Sequence, residues 1–193
     1  MLSGYLKQIN IMKIILLFLS LALAQYNKVN GQVYYTKNGN ITFFSKSILE
    51  DIQADNNQVI SVMNVETGTL QFSALNNAFH FPKAKMEEDF NDNYIESNKY
   101  PRSTFSGTIS NVRDVDFGKD GSYSVMIKGD LTIHGVTKNI TTRATVTVSN
   151  GNISAAATFN VLVKDYKISV PSIVEKKIAE SIQIKVNCNY QKK

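Results

Sequence analysis

The sequence predicts an all-β protein, a single antiparallel β-barrel of about eight strands with one or two short helices. Three observations carry that prediction. Apolar and polar residues alternate with period two along most of the chain, as strands with one buried and one wetted face require. Turn dipeptides punctuate the alternation, with Asn38-Gly39 and Asn150-Gly151 suited to type I′ hairpins, whose two central residues both need positive φ. Helical spacing is confined to short polar stretches.

Taken in order, the elements begin with an export signal. Lys7 and Lys13 precede the apolar run 14–24, which ends in Ala22-Leu23-Ala24, a small-x-small cleavage pattern. The run is too short to cross a bilayer, which needs roughly 20 apolar residues. The stretch starting at Met12 is a complete signal by itself, so the start is Met1 or Met12. Residues 1–24 are read as the signal peptide and 25–193 as one domain, with Gln25 as the mature terminus. Cleavage removes Lys7 and Lys13 and no acid, leaving +3 of the formal net charge of +5. So weak and dispersed a charge argues against nucleic acid. Cys188 is the sole cysteine, so packing and strand pairing must hold the fold without an intramolecular disulfide.

Strands are expected near 32–37, 40–48, 58–66, 69–75, 103–112, 122–134, 137–149, 152–164 and 180–190. Over 122–134, Tyr123, Val125, Ile127, Gly129, Leu131 and Ile133 share one face, opposed by Ser124, Lys128, Asp130, Thr132 and His134. Gly129 on the apolar face implies close backbone approach or a bend, and Gly135 at the hairpin tip implies positive φ. Residues 83–98 place Met86, Phe90 and Tyr94 at i, i+4 and i+8, one face of a helix. Ser172 fits the N-cap of a second short helix over 172–180. Long consecutive strands favour closure, which removes sheet edges. An eight-stranded barrel has room inside for side chains or one small ligand.

Reactive chemistry is sparse. His134 reads as a turn histidine whose ring bonds to nearby backbone or stacks on the rim. His80, between Phe79 and Phe81, is expected to pack. Cys188 faces inward with the apolar residues of its strand, where a thiol is inert. Glu87, Glu88 and Asp89 read as a solvated helix face. No cluster has the three or four ligands of a zinc site. No catalytic residue, metal or cofactor is assigned.

Gly129 to Thr141, GDLTIHGVTKNIT, closely resembles the signature of the YceI-like family, exported lipocalin-like barrels that bind polyisoprenoid lipids. Asn91 to Pro101, ending in Tyr100-Pro101, then Thr104-Phe105-Ser106-Gly107, Phe159 to Pro171 and Ile182 to Val186 resemble further family segments in order. The resemblance spans roughly 34–190. It implies a lipocalin-like barrel with a hollow interior, and a long-chain isoprenoid or other lipid held there. The lining would come from Phe43, Phe79, Phe81, Phe105, Tyr123, Ile127, Leu131, Phe159 and Ile184, with Met86, Phe90 and Tyr94 on a lid. Where many members carry an Arg-Asp and a His before the helix, this chain has Met86-Glu87-Glu88-Asp89-Phe90, so no head-group contact is carried over there. The expected setting is periplasmic or secreted. No nucleic acid and no stable membrane insertion after signal cleavage are expected, and a homodimer through strand edges or lid faces is left open. Two other readings stand beside the lipid carrier: a secreted structural or interaction barrel with a solid core, and a histidine-dependent enzyme on the same fold.

Overall fold

Eight antiparallel strands form a closed barrel in chain order, each pairing with its sequence neighbour and the last pairing with the first. The computed structural model describes residues 32–46, 50–170 and 178–193. The signal segment and most of the helix expected at 172–180 lie outside them. The strands are β1 (Val33–Lys46), β2 (Asp51–Asn64), β3 (Thr69–Leu75), β4 (Arg102–Ile109), β5 (Gly121–Ile133), β6 (Val136–Ser149), β7 (Asn152–Leu162) and β8 (Ser181–Lys192). Alternate connections share an end of such a barrel. The end of β1, the start of β2, the β3–β4 and β5–β6 connections, the end of β7 and the start of β8 share one end, called the mouth, and the β2–β3, β4–β5 and β6–β7 connections share the other, the base.

The Asn38-Gly39 hairpin is not formed. Neither residue has positive φ, and the two strands expected on either side are one strand, β1. Instead the β1–β2 register shifts on both sides of Gly39, opposite Val59. The inward face changes parity at this bulge: Tyr34 and Thr36 are buried before it, Gly39 after it. Gly39 is held there by crowding, because a Cβ would lie 2.8 Å from Cys188 Sγ. The first half of β2, also unexpected, turns Ala54 and Asn56 inward, both fully buried. The Asn56 amide donates to Leu75 O (2.8 Å) and accepts from Gln58 N–H (2.9 Å), so its burial leaves neither group unpaired.

Other turns follow their residues. Asn150 and Gly151 have φ of 50° and 75°, and His134 and Gly135 have 50° and 71°. Gly129 does provide close approach: it lies opposite Gly107, and a Cβ on it would sit 2.4 Å from Ser106 O and 2.7 Å from the Phe105 ring. Between β3 and β4 a helix, α1 (Ala84–Asp89), runs on through a π turn, Phe90–Tyr94.

Candidate functional site

The interior differs between its two ends although its chemistry does not. At the base, Met63, Val125, Val146, Ile153, Cys188 and Tyr190 pack into one cluster, none more than 5% exposed. Toward the mouth the same inward faces stay apolar but lose contact. In β6, Ala144, Val146 and Val148 are buried while Ile140 is only half-buried. In β7, Ile153 is buried and Ala157, Phe159 and Val161 are half-buried. In β8, Cys188 and Tyr190 are buried and Ile182, Ile184 and Val186 are half-buried. Inward apolar side chains with free surface mean that no side chain among the described residues fills the space they face. That space is a cavity of about 510 Å³, within the range typical of small-molecule sites.

Strand register assembles the walls. Ile184 is opposite Phe43 on one side and Phe159 on the other, so three large side chains form one strip across β1, β8 and β7. Near the mouth, Phe43, Phe79, Phe81 and Phe90 cluster with ring centroids 5.1–5.8 Å apart, in tilted and edge-on pairs. The i, i+4, i+8 spacing delivers Met86, Phe90 and Tyr94 to the cavity from α1 and its π turn. All but one of the residues expected to line the interior therefore border this space. The exception is Tyr123, which packs on the base cluster and donates its hydroxyl to Lys119 O (3.0 Å). Sequence reasoning omitted Ile41, Leu70, Phe72, Ile133 and Tyr166, which also border it. The strand residues among them have the inward parity of their neighbours, a signal present in the alternation.

Polar groups at this end are mostly paired with one another. Lys83 meets Glu50 (2.5 Å), and Lys85 meets Glu88 (3.2 Å) and Asp89 (3.1 Å). Asn76, fully buried, donates to Tyr100 O (2.6 Å) and accepts from the Ser103 hydroxyl (2.8 Å). Burial raises the Tyr94 and Tyr166 hydroxyl pKa values above the ordinary tyrosine value.

His80 does not pack between its phenylalanines. Its side chain is 64% exposed, with Nδ1 3.5 Å from Glu87 Oε2. A lone antiparallel bridge to Asp55 fixes the backbone so that Phe79 and Phe81 turn in and His80 turns out. His134 behaves as a hairpin histidine, its ring bonding to Tyr166 O and Glu96 and lying edge-on to Tyr100. The Cys188 thiol is buried, and burial pushes its pKa up to about 11, which keeps it protonated and unreactive. Among the described residues no group of His, Cys, Asp and Glu could hold a metal ion, and no helix is long and apolar enough to cross a membrane.

The family model described as YceI-like domain matches residues 21–190. No curated protein matches. Among solved structures, a polyisoprenoid binding domain from Saccharophagus degradans, implicated in plant cell wall breakdown, superposes with a TM-score of 0.73 at 13% identity. The match covers 84% of this chain and 99% of that one. Burkholderia cenocepacia BcnA gives 0.65 at 14% identity, covering 79% and 96%. A Campylobacter jejuni YCEI protein gives 0.52 at 17% identity, covering 77% and 85%. At these identities the likeness is one of fold.

Proposed function

Because this chain belongs to the YceI-like domain family, we propose that it is an exported lipid-binding protein that holds a polyisoprenoid or similar long apolar chain in the mouth half of its barrel. The observation that carries this reading is the loss of burial along β6, β7 and β8, which leaves a wall of Ile, Val, Ala and Phe facing empty space. A binding wall of that chemistry suits a ligand recognised by its hydrocarbon. Each buried CH₂ is worth about 0.8 kcal/mol, and that gain is spread over many wall residues. The name of the Saccharophagus degradans domain, a polyisoprenoid binder, supports the same ligand class. The signal read at 1–24 supports a periplasmic or secreted setting.

The mechanism needs no bond making. The apolar tail leaves water for the cavity, which displaces little if any ordered water from so apolar a wall. The Phe43, Phe79, Phe81 and Phe90 rings then cover it near the mouth. Binding is reversible, and the protein serves as a carrier or store and not as an enzyme. Cys188 is buried in the base and His80 lies outside, so neither is arranged for nucleophilic or acid–base work on an occupant.

Native mass spectrometry of the purified protein tests the proposal. The expected result is an adduct of lipid mass that organic extraction removes and a neutral prenol restores at one per chain. Ala157→Trp, which puts an indole into the half-buried β7 wall, should abolish the adduct while the barrel stays folded. A protein that neither carries lipid nor takes up prenol, or an Ala157→Trp variant that binds as well as the parent, would overturn it.

A further inference from the structure

Three segments at the mouth meet at one imidazole. His134 opens the β5–β6 hairpin at φ 50°, with its side chain 11% exposed. Its Nδ1 is 3.2 Å from the carbonyl oxygen of Tyr166, in the turn Val163–Tyr166 after β7. Its Nε2 is 2.7 Å from Oε2 of Glu96, two residues beyond the π turn. Tyr100 closes the third side, ring centroids 4.4 Å apart, and packs so closely that a Cβ on Gly135 would lie 2.5 Å from it. Each segment also borders the cavity, through Ile133, Ile95 and Tyr166 itself.

The hydrogen-bond chemistry constrains this junction. A carbonyl oxygen only accepts, and an ionised carboxylate only accepts. The Glu96 carboxyl is held below its ordinary value, first by the bond to His134 and also by Lys99, whose Nζ is 3.8 Å from Glu96 Oε1. Both ring nitrogens must therefore donate for both bonds to form, and only the doubly protonated ring can do so. Other charged or titratable groups around the junction are Lys99, whose ammonium sits 4.9 Å over the Tyr100 ring, Tyr100 and Tyr166 themselves, and Asp165 and Lys167, which flank Tyr166 in its turn. A ring with one proton turns a lone pair toward one acceptor, so one of the two ties is lost.

We propose that His134 and Glu96 form a proton-dependent clasp on the cavity mouth, closed while the imidazole carries both protons and loosened when it loses one. The clasp ties the segment behind α1 and the turn after β7 to the β5–β6 tip, and its loosening speeds exchange of the occupant. It rests on the lipid-binding reading only for the nature of that occupant. The sign follows from the two partners. The tie is complete above the lowered Glu96 value and fails as pH rises and the ring gives up one of its two protons.

Two measurements on the purified protein test the clasp between pH 5.5 and 8.5. One is amide hydrogen exchange over residues 84–100 without ligand, corrected for the intrinsic pH dependence of exchange. The other is the release rate of geranylgeraniol. Both should rise on the order of tenfold across the range, the scale of one charge-assisted hydrogen bond. Glu96→Gln should remain slow at every pH, since an amide N–H can donate to the unprotonated nitrogen of a neutral ring. His134→Gln should be fast at every pH. Nitrogen NMR of the wild-type ring should show both nitrogens protonated at pH 5.5. Corrected exchange that is flat with pH, or a ring that carries one proton at pH 5.5, overturns the clasp. A pH-dependent exchange in a protein that never binds geranylgeraniol upholds the clasp and removes the lipid reading alone.

Discussion

Deleting one methylene at each end of the barrel separates a hollow mouth from a solid core. Ile153 in β7 and Ile184 in β8 both face inward, but Ile153 is 2% exposed among the base residues while Ile184 borders the cavity. Ile→Val keeps the β-branch, so strand propensity changes little and the comparison reads packing. At Ile153 the lost transfer energy, about 0.8 kcal/mol, adds to the void left among packed neighbours, for a cost of about 1 kcal/mol within the usual 0.5–1.5 range. At Ile184 much of the deleted surface already has no partner on its inner side, so little dispersion is lost and the cost should fall below about 0.5 kcal/mol. Urea unfolding of delipidated protein reads both, and for a domain of this size 1 kcal/mol shifts the thermal midpoint by about 2–4 °C. In lipid-loaded protein the cost at Ile184 should reappear as affinity, up to about 0.8 kcal/mol or roughly fourfold. Equal costs at the two sites in delipidated protein would refute the reasoning, because they would mean that Ile184 is as tightly packed as Ile153.

Three further outcomes follow from particular contacts. Gly129→Ala should destabilise the barrel by about 1–3 kcal/mol, because its Cβ would press on Ser106 O and the Phe105 ring, and chemical denaturation should show it. Cys188 should resist thiol reagents at pH 8 in the folded protein and react once denatured. Its raised pKa also sets a sign: its contribution to stability is complete below about pH 9, the ordinary thiol value, and declines as pH rises toward about 11. A pH titration of unfolding with and without Cys188→Ser isolates that decline. In the opposite direction, the lowered Glu96 carboxyl contributes stability that is present above its ordinary value of 4.5 and lost as pH falls through the lower folded value, so Glu96→Gln should flatten the acid limb of the stability profile.

Much of the architecture was legible in the alternation, and the misses have identifiable causes. Asn150-Gly151 and Asn38-Gly39 are the same dipeptide in different surroundings. The first has open space around it, since a Cβ on Gly151 would meet nothing within 4 Å, and it turns. The second is pinned between Cys188 and Val59 and bulges instead, so tertiary contacts outweighed local turn preference. The start of β2 was hidden because its inward positions include Asn56, whose burial becomes acceptable only through the distant Leu75 carbonyl. His80 was misread because the bridge to Asp55 that turns it outward involves residues far apart in sequence. The site was legible as a list of inward apolar residues but not as a void. Tyr123 and Phe159 both carry aromatic rings on inward strand faces, yet one packs on the base and the other borders the cavity. Which end of a barrel is filled depends on how far side chains from opposite walls reach, and period-two patterning carries no record of that distance.

Xenon reports directly on apolar voids, because such cavities stay dry and take up the gas. Crystals of delipidated protein under xenon pressure should show sites bounded by Ile127, Phe159 and Ile184, with none among Val125, Val146 and Ile153. A mouth half that admits no xenon, its walls in mutual contact, would contradict the hollow barrel on which the binding assignment rests.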